Sequence, residues 1–340
     1  MTRAADGAGP RPLRVLSMPD YSRHNPYQRL LADALAAEGV ATVPGRPGRR
    51  RPFPILGAWL GAGRPSVVHL HWLHEYLKGR GAGPSRISRL RLTGQLRLLR
   101  ALGVRIVLTV HNLGGHDGAR DPGELAAHRE VAGLADAVIC HCGAARDAAI
   151  AAWSLPAATA SRIVVIPHGS YAGVHPVPAD RAPTRAALGI PADARVLGFA
   201  GTIRGYKGLD ELLAAFAALP DPTVRLLIAG QAREREVGDG LRSAAAADPR
   251  IVLRLGRIPD EELGALVAAA DAIVLPFRDI LTSGSAILAL TCGRPVVAPA
   301  LGCLPETIPP DAGILYDPAA PFALGGALRA ALAADLVAMG

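Results

Sequence analysis

The 340-residue chain carries 37 Lys and Arg against 29 Asp and Glu, with 38 Gly, 29 Pro and 4 Cys; half of it is hydrophobic and 19% is charged. About 150 residues per domain predicts two domains, and the composition excludes a disordered chain, a disulfide scaffold, a collagen and a coiled coil. The net charge of +8 is uneven, +11 over residues 1–178 and −3 over 179–340, so one half is expected to meet something anionic.

Residues 13–18 read as a short apolar strand. A helix begins at or just after Asn25 and runs through Tyr27, Leu30, Leu31, Ala34 and Leu35 to a stop at Gly39. Residues 66–71 form a second strand, 87–103 a helix, 104–111 a third strand, 137–140 a fourth and 162–167 a fifth. Strands alternating with helices imply a parallel sheet covered on both faces. The proline-rich stretch 175–183 reads as a linker.

After it the pattern restarts, with strands at 196–200, 224–229, 251–255, 272–276 and 295–299 and helices at 209–219, 260–270 and 285–290. The expected fold is α/β, two Rossmann-like doubly wound parallel-sheet domains with an interdomain cleft facing the strand C-terminal ends. The expected boundaries are 1–178, a linker at 179–194, and 195–340. No run approaches the roughly 18 apolar residues of a membrane-spanning helix, and the polar opening holds no secretory hydrophobic region. With the cysteines read as free thiols, the expected compartment is the cytoplasm.

Three constellations in the second half can carry chemistry. After the strand ending at Ala200, a glycine-punctuated loop from Gly201 and Thr202 to Gly208 presents Arg204 and Lys207 just before a helix. A guanidinium fork and an ammonium point charge suit a diphosphate; a solvated turn with two ordinary basic residues is the plain alternative. Thr282, Ser283, Gly284 and Ser285 precede a helix, where free N–H groups bind anions or a hydroxyl simply caps. Finally, Cys292-Gly293-Arg294-Pro295-Val296-Val297-Ala298-Pro299 and Gly302-Cys303-Leu304-Pro305 lead to Glu306 in a loop.

The ordered set Gly201…Lys207-Gly208, Ala229-Gly230, Ser283-Gly284-Ser285, Gly293…Ala298 and Gly302…Glu306 resembles the C-terminal half of glycosyltransferase family 4. The resemblance is close over about residues 195–320 and looser in the N-terminal half. It implies the GT-B fold and transfer of a sugar from a nucleotide-diphosphate donor, UDP- or GDP-linked, to a hydroxyl of a glycan, a lipid-linked sugar or a small molecule. It further implies retention of anomeric configuration without a metal or other cofactor. Arg204 and Lys207 would grip the diphosphate, the helix start at Thr282–Ser285 the phosphate or sugar, and Glu306 would lie near the sugar or ribose. Gly201 and Thr202 belong to the same donor loop. The sequence departs from the family pattern: the two positions where many members carry glutamates, counted back from Gly293, hold Ile280 and Leu288. The usual Gly-Arg opening of the first loop is absent too, and the sequence stops at Gly340 without the aromatic-containing final helix often found in this fold.

In the first half, Thr109-Val110-His111-Asn112 closes a strand and leads to Gly114, Gly115, His116 and Asp117. The resemblance places His111 near the reacting carbon of the sugar. Asn25 and Tyr27 after the first strand, and His71, Trp72 and Glu75 after the second, share that rim with Asn112 as candidate acceptor contacts. Trp72 suits stacking on a sugar face, and Glu75 or Asp20 suits proton acceptance.

His69 and His71 share a strand face and, with His74, His111 or His116, form a rival zinc-hydrolase reading; no clustered carboxylates accompany them, and His69 suits a core position. Cys140-His141-Cys142 lacks a second Cys pair, so small buried residues at a strand end explain it. The first strand leads into no Gly-x-Gly-x-x-Gly, which excludes a Rossmann dehydrogenase, and no Walker lysine loop is present. A nucleotide-sugar epimerase and a non-catalytic sugar-nucleotide binder remain as alternatives within the fold. Arg86, Arg89, Arg91, Arg97 and Arg100 interleave with Ile87, Leu90, Leu92, Leu96, Leu98 and Leu99. Most such helices simply cover a sheet; with Arg46 and Arg49–Arg51 this one also suits peripheral contact with an anionic membrane at its inner face. No nucleic-acid motif appears.

Overall fold

The computed structural model describes residues 13–23, 25–46, 52–77, 85–114, 121–336 and 338–339. Gly115, His116, Asp117, Arg49, Arg50, Arg51 and Gly340 lie outside them. The chain divides into two compact units. The first holds the described residues up to Gly114, those through His141, and Arg146–Ile166; the second holds Cys142–Ala145 and the described residues from Pro167 onward.

The first unit is built on six parallel strands: β1 (Arg14–Met18), β2 (Ala41–Pro44), β3 (Val67–Leu70), β4 (Arg105–Thr109), β5 (Ala137–Cys140) and β6 (Ile163–Val165). Their order across the sheet is β2-β1-β3-β4-β5-β6. Leu16 pairs with Val68 and Val68 with Ile106, a fully buried row that sets the register. Both faces are covered, so the central strands are predominantly apolar, with Ser17, His69 and Thr109 as polar positions within them. The strand order reverses between β1 and β3, and in doubly wound sheets ligands bind beyond the carboxyl ends of the strands at such a reversal. Ser17 on β1, His71 after β3 and His111 after β4 stand at that end.

Two helices of this unit carry residues that the sequence singles out. Pro26–Ala37 opens with Asn25 as its N-cap, whose side-chain oxygen accepts from the Tyr27 N–H at 3.1 Å, followed by Pro at the first helical position. Arg86–Ala101 buries Leu92, Leu96 and Leu99 and leaves Ile87, Leu90 and Leu98 exposed.

The second unit repeats the plan with β7 (Val196–Ala200), β8 (Arg225–Gly230), β9 (Ile251–Leu255), β10 (Ala272–Val274), β11 (Val296–Pro299) and β12 (Gly313–Tyr316), in the order β12-β11-β10-β7-β8-β9. Here the reversal falls between β7 and β10. The 179–194 segment carries a helix, Ala182–Ala187, held by the buried Arg185. Its guanidinium donates to the carbonyls of Ala269 (2.9 Å) and Ala194 (3.0 Å) and to Asp271 (3.0 Å), while Asp271 also accepts from the Val196 N–H (2.6 Å) at the start of β7.

Two strands escaped the sequence reading, β2 and β12. Each is four residues long, lies at a sheet edge and has no fully buried residue; β2 presents no apolar run, and β12 only the short Ile314-Leu315-Tyr316. The cysteine reading needs a correction as well. Cys142 and Cys303, 161 residues apart, form a disulfide within the second unit, whereas Cys140 and Cys292 are free and buried. A pairing over that separation has no spacing signature. Among the described residues no helix is long and apolar enough to cross a membrane.

Gly230, at φ 151°, ends β8, and a Cβ there would collide with the backbone carbonyl of Gly201. The close approach of these two strand ends leaves room for no side chain. Gly230→Ala is therefore expected to cost at least the 1–3 kcal/mol typical of a strained backbone position, read as a lower urea midpoint with the slope unchanged. An unaltered midpoint would show that the two loops separate freely.

Candidate functional site

In the second unit, β7 delivers the chain into Gly201, and the next loop closes in a 3-10 turn at Gly205–Lys207. Gly208 follows in the left-handed region at φ 69° and starts the helix Leu209–Ala217. A Cβ on Gly208 would collide with the carbonyl of Pro276, so the loop after β10 packs directly on the helix start. Lys207 is 9% exposed, its Nζ 4.3 Å from the ring centre of Phe277 and 5.3 Å from that of Tyr206. Burial, with the neighbouring Arg204 charge adding to it, pulls the Lys207 ammonium down from 10.5 to about 8.

Neither Arg204 nor Lys207 has a carboxylate partner among the described residues. The nearest acids in sequence are already engaged: Arg278 donates to Glu211 at 2.8 Å and to Asp210 at 2.5 Å, and its own N–H donates to the Tyr206 carbonyl. The loop thus carries two cations with no anion, at the opening of a helix whose dipole adds more positive potential. Thr202 beside them is exposed.

The helix Gly284–Thr291 begins nearby. Ser283 is its N-cap, accepting from the Ala286 N–H at 3.1 Å, so the capping reading of this hydroxyl holds. The Ser285 hydroxyl lies 3.1 Å from where a Cβ on Gly201 would stand, which brings the two loops together. Gly284 abuts the Tyr171 hydroxyl, and Thr282 contacts Cys303 through its Oγ1 at 3.9 Å. Leu288 is buried, so the helix offers no carboxylate at the position where many family members have one. The exposed Glu306 turns its two oxygens to the N–H groups of Gly143 and Ala144, each at 2.8 Å. A cavity of about 680 Å³ lies at the side of this unit, walled by Phe277, Arg278, Tyr316, Phe322 and Arg329 and sharing Phe277 with the Lys207 site.

In the first unit the strand ends gather a histidine cluster. His69 and His71 share a face of β3 and its extension, their ring centres 4.1 Å apart. His71 Nδ1 is 3.3 Å from His111 Nε2, and His71 Nε2 is 3.1 Å from Ser17 Oγ. His69 Nε2 is 2.7 Å from Thr109 Oγ1. Trp72 stacks on His111 at 4.4 Å and 18°, and Tyr27 meets the same ring edge-on at 4.9 Å. Burial holds His69 down at about 4, with His141 adding to it, and holds His71 well below 6.5. Burial pushes the Tyr27 hydroxyl up to about 12 against a hydrogen bond with Thr109. His69 and His71 are therefore neutral near pH 7.

The two candidate bases differ. Burial raises the Asp20 carboxyl, but its hydrogen bonds from Ser22 and Arg46 outweigh that and set it below its usual range. The Glu75 carboxylate is largely buried and lies 3.5 Å from His74 Nε2. Asn112 lines a cavity of about 10 Å³, the size of one water, with His111, Glu124 and His128. Sequence reasoning missed Ser17, Gln28, Glu124 and His128. Only the period-two alternation that puts Ser17 on one face of β1 could have pointed to the first of these. Among the described residues no group of three His, Cys, Asp or Glu is arranged to hold a metal.

Two parallel Rossmann-like sheets, each covered by helices, define the architecture as GT-B. Comparison agrees: the profile described as Glycosyltransferase Family 4 matches residues 13–170, and that of Glycosyl transferases group 1 matches 194–334. A GDP-mannose:glycolipid 4-beta-D-mannosyltransferase of Xanthomonas campestris pv. campestris is 30% identical over 326 residues, covering 93% of this chain and 82% of the relative. The sucrose-phosphate synthase of Thermosynechococcus elongatus superposes with a TM-score of 0.74 at 23% identity, covering 97% of this chain and 92% of that one. Anabaena HepE in complex with UDP-glucose gives a TM-score of 0.69 at 17% identity, covering 96% and 91%. The chain belongs to the family 4, group 1 glycosyltransferases.

The Lys207 environment has a direct consequence for stability. An ammonium depressed from 10.5 to about 8 destabilises the folded state by up to about 3 kcal/mol wherever both states are protonated. Between those two values the unfolded chain binds the extra proton, so stability rises with pH. Lys207→Met is therefore expected to unfold at higher urea than the parent at pH 7, the gap closing as pH rises from about 8 to 10.5. A variant less stable at pH 7 would overturn this.

Proposed function

We propose that the chain transfers a sugar from a nucleotide-diphosphate donor to a hydroxyl acceptor, with the donor held by the second unit and the acceptor by the first. The observation that carries the reading is the uncompensated Arg204–Lys207 pair beside a helix start. Two cations with no carboxylate partner among the described residues suit a diphosphate, first as a ground-state ligand and then as a leaving group on which charge builds. Ser285 and the amides that open Gly284–Thr291 would hold phosphate or sugar oxygens. Gly201 and Thr202 would let the diphosphate approach the backbone, and Thr282, Ser283 and Gly284 would shape the same wall. Glu306, as an acceptor-only carboxylate, would suit a ribose or sugar hydroxyl.

On the acceptor side, Trp72 supplies a flat apolar face and His111 a polar edge at the strand ends. Tyr27, Asn112 and Glu75 would line the same rim, while Asn25 and Asp20 serve its local structure. The family resemblance supports retention, with the donor phosphate taking the acceptor proton and His111 beside the reacting carbon. The Xanthomonas relative is named for GDP-mannose, a glycolipid and a β-linked product, which from an α-linked donor requires inversion and so favours the opposite stereochemical course, and HepE is bound to UDP-glucose. A UDP- or GDP-sugar and a lipid-linked acceptor therefore lead the candidates. The exposed Ile87, Leu90 and Leu98 beside the exposed Arg86 and Arg97 suit an anionic lipid surface.

A thermal-shift panel of UDP, GDP, ADP and dTDP with their sugars tests the donor. One nucleotide series is expected to stabilise the protein, by about 2.7 kcal/mol at a hundredfold excess over Kd. Arg204→Ala and Lys207→Met are each expected to weaken donor binding about 10–100-fold in calorimetry, and unchanged affinity would remove the diphosphate assignment. NMR of the product anomer against the donor anomer decides retention. Sedimentation with vesicles rich in phosphatidylglycerol is expected to carry the protein down at low salt, with Ile87→Glu and Leu90→Glu reducing the bound fraction; equal sedimentation would sink the membrane reading.

A further inference from the structure

Beneath His111 lies a line of side chains whose hydrogen-bond directions are set from one end. The Gln28 amide, 6% exposed, has two obligate partners. Its Oε1 accepts from the Tyr21 backbone N–H at 2.7 Å, which can only donate, and its Nε2 donates to the Pro19 carbonyl at 2.8 Å, which can only accept. The amide cannot flip without losing both. Its second Nε2 hydrogen points to Ser17 Oγ at 3.3 Å, so that oxygen accepts from Gln28. The Ser17 proton then has one acceptor in reach among the described residues, His71 Nε2 at 3.1 Å.

His71, 3% exposed, thereby carries its hydrogen on Nδ1, which faces His111 Nε2 at 3.3 Å. We propose that Gln28, Ser17 and His71 form a one-way hydrogen-bond chain that fixes His111 as its Nδ1–H tautomer. His71 is then a positioning residue, acting through His111 rather than by touching the acceptor. With its Nε2 lone pair taken, a neutral His111 has no free nitrogen to accept a proton. Its other nitrogen carries the hydrogen, so His111 is not the base that deprotonates the acceptor hydroxyl. The ring is further held by Trp72 stacked on one face and Tyr27 at its edge. The functional part of this inference rests on His111 standing beside the reacting centre; the tautomer does not.

Long-range nitrogen–proton NMR of the full chain labelled with ¹⁵N-histidine reads each tautomer directly, the His111 signal being assigned from its loss in His111→Ala. The expected spectrum has His71 and His111 both protonated on Nδ1. Ser17→Ala should convert His111 to a mixture of tautomers and lower kcat about tenfold with donor KM unchanged. Ser17→Thr, which restores a hydroxyl, should recover both. A parent spectrum with the His111 hydrogen on Nε2 overturns the proposal, as does a Ser17→Ala protein whose His111 tautomer is unaltered. If the Ser17 variants fold poorly, the parent spectrum alone decides. Should His111→Ala leave transfer intact while the tautomer is as expected, the chain stands and the role of His111 in sugar transfer falls.

Discussion

The second unit is arranged around an ammonium that has been taken out of water without being given a counter-charge. Lys207 lies against Phe277 and Tyr206, and the aromatic faces return about 0.5–2 kcal/mol of what desolvation costs. Three features around it raise the local potential. Arg204 repels it, the helix opening at Leu209 points a positive dipole end at the same loop, and Arg278 draws Asp210 and Glu211 away. A fold selected only for stability would place an acid here. Keeping the position uncompensated makes sense when an anion arrives as ligand, because the loop then reaches full neutralisation only in the bound state. The geometry that permits it is modest: Gly208 for a left-handed turn against Pro276, and Gly230 for close approach to Gly201.

The first unit solves a different problem with a different chemistry. Among the described residues its strand ends hold a ring cluster of His69, His71, His74, His111 and His141 with Tyr21, Tyr27 and Trp72, and burial leaves His69 and His71 neutral. A neutral imidazole cannot supply charge, but it can supply direction, donating at one nitrogen and accepting at the other. The obligate backbone partners of Gln28 give that direction an origin. Such a surface suits an uncharged polyhydroxyl ligand, whose recognition depends on which atoms donate. One unit therefore offers charge at its strand ends and the other offers hydrogen-bond direction.

The alternation of strands and helices was readable because a sheet covered on both faces needs continuous apolar runs. Leu16, Val68 and Ile106, or Val196 to Ala200, could serve no other purpose. The edge strands β2 and β12 stood out less because each is short and half-exposed, β2 without an apolar run and β12 with only Ile314-Leu315-Tyr316. Among site residues, Arg204 and Lys207 stood out from glycine spacing and from position after a strand. Ser17, Gln28, Glu124 and His128 did not, because a lone polar residue inside an apolar segment has no local signature.

While the helices Pro122–Leu134, Arg235–Ala247 and Ala323–Ala333 were not read from it, the sequence by itself determined ten strands of the two sheets, five of the helices that cover them, and the loops in which basic and histidine side chains fall. Those features follow from short-range periodicity and from the backbone needs of Gly, Pro and capping residues, which act over a few positions. Only the tertiary structure decided that Lys207 is buried without an acid, that Arg278 occupies the acids it could have used, that Cys142 finds Cys303, and that His71 stands between Ser17 and His111. Each of these joins residues from separate segments of chain. Burial, ion pairing and hydrogen-bond direction depend on distances in space that no local pattern encodes.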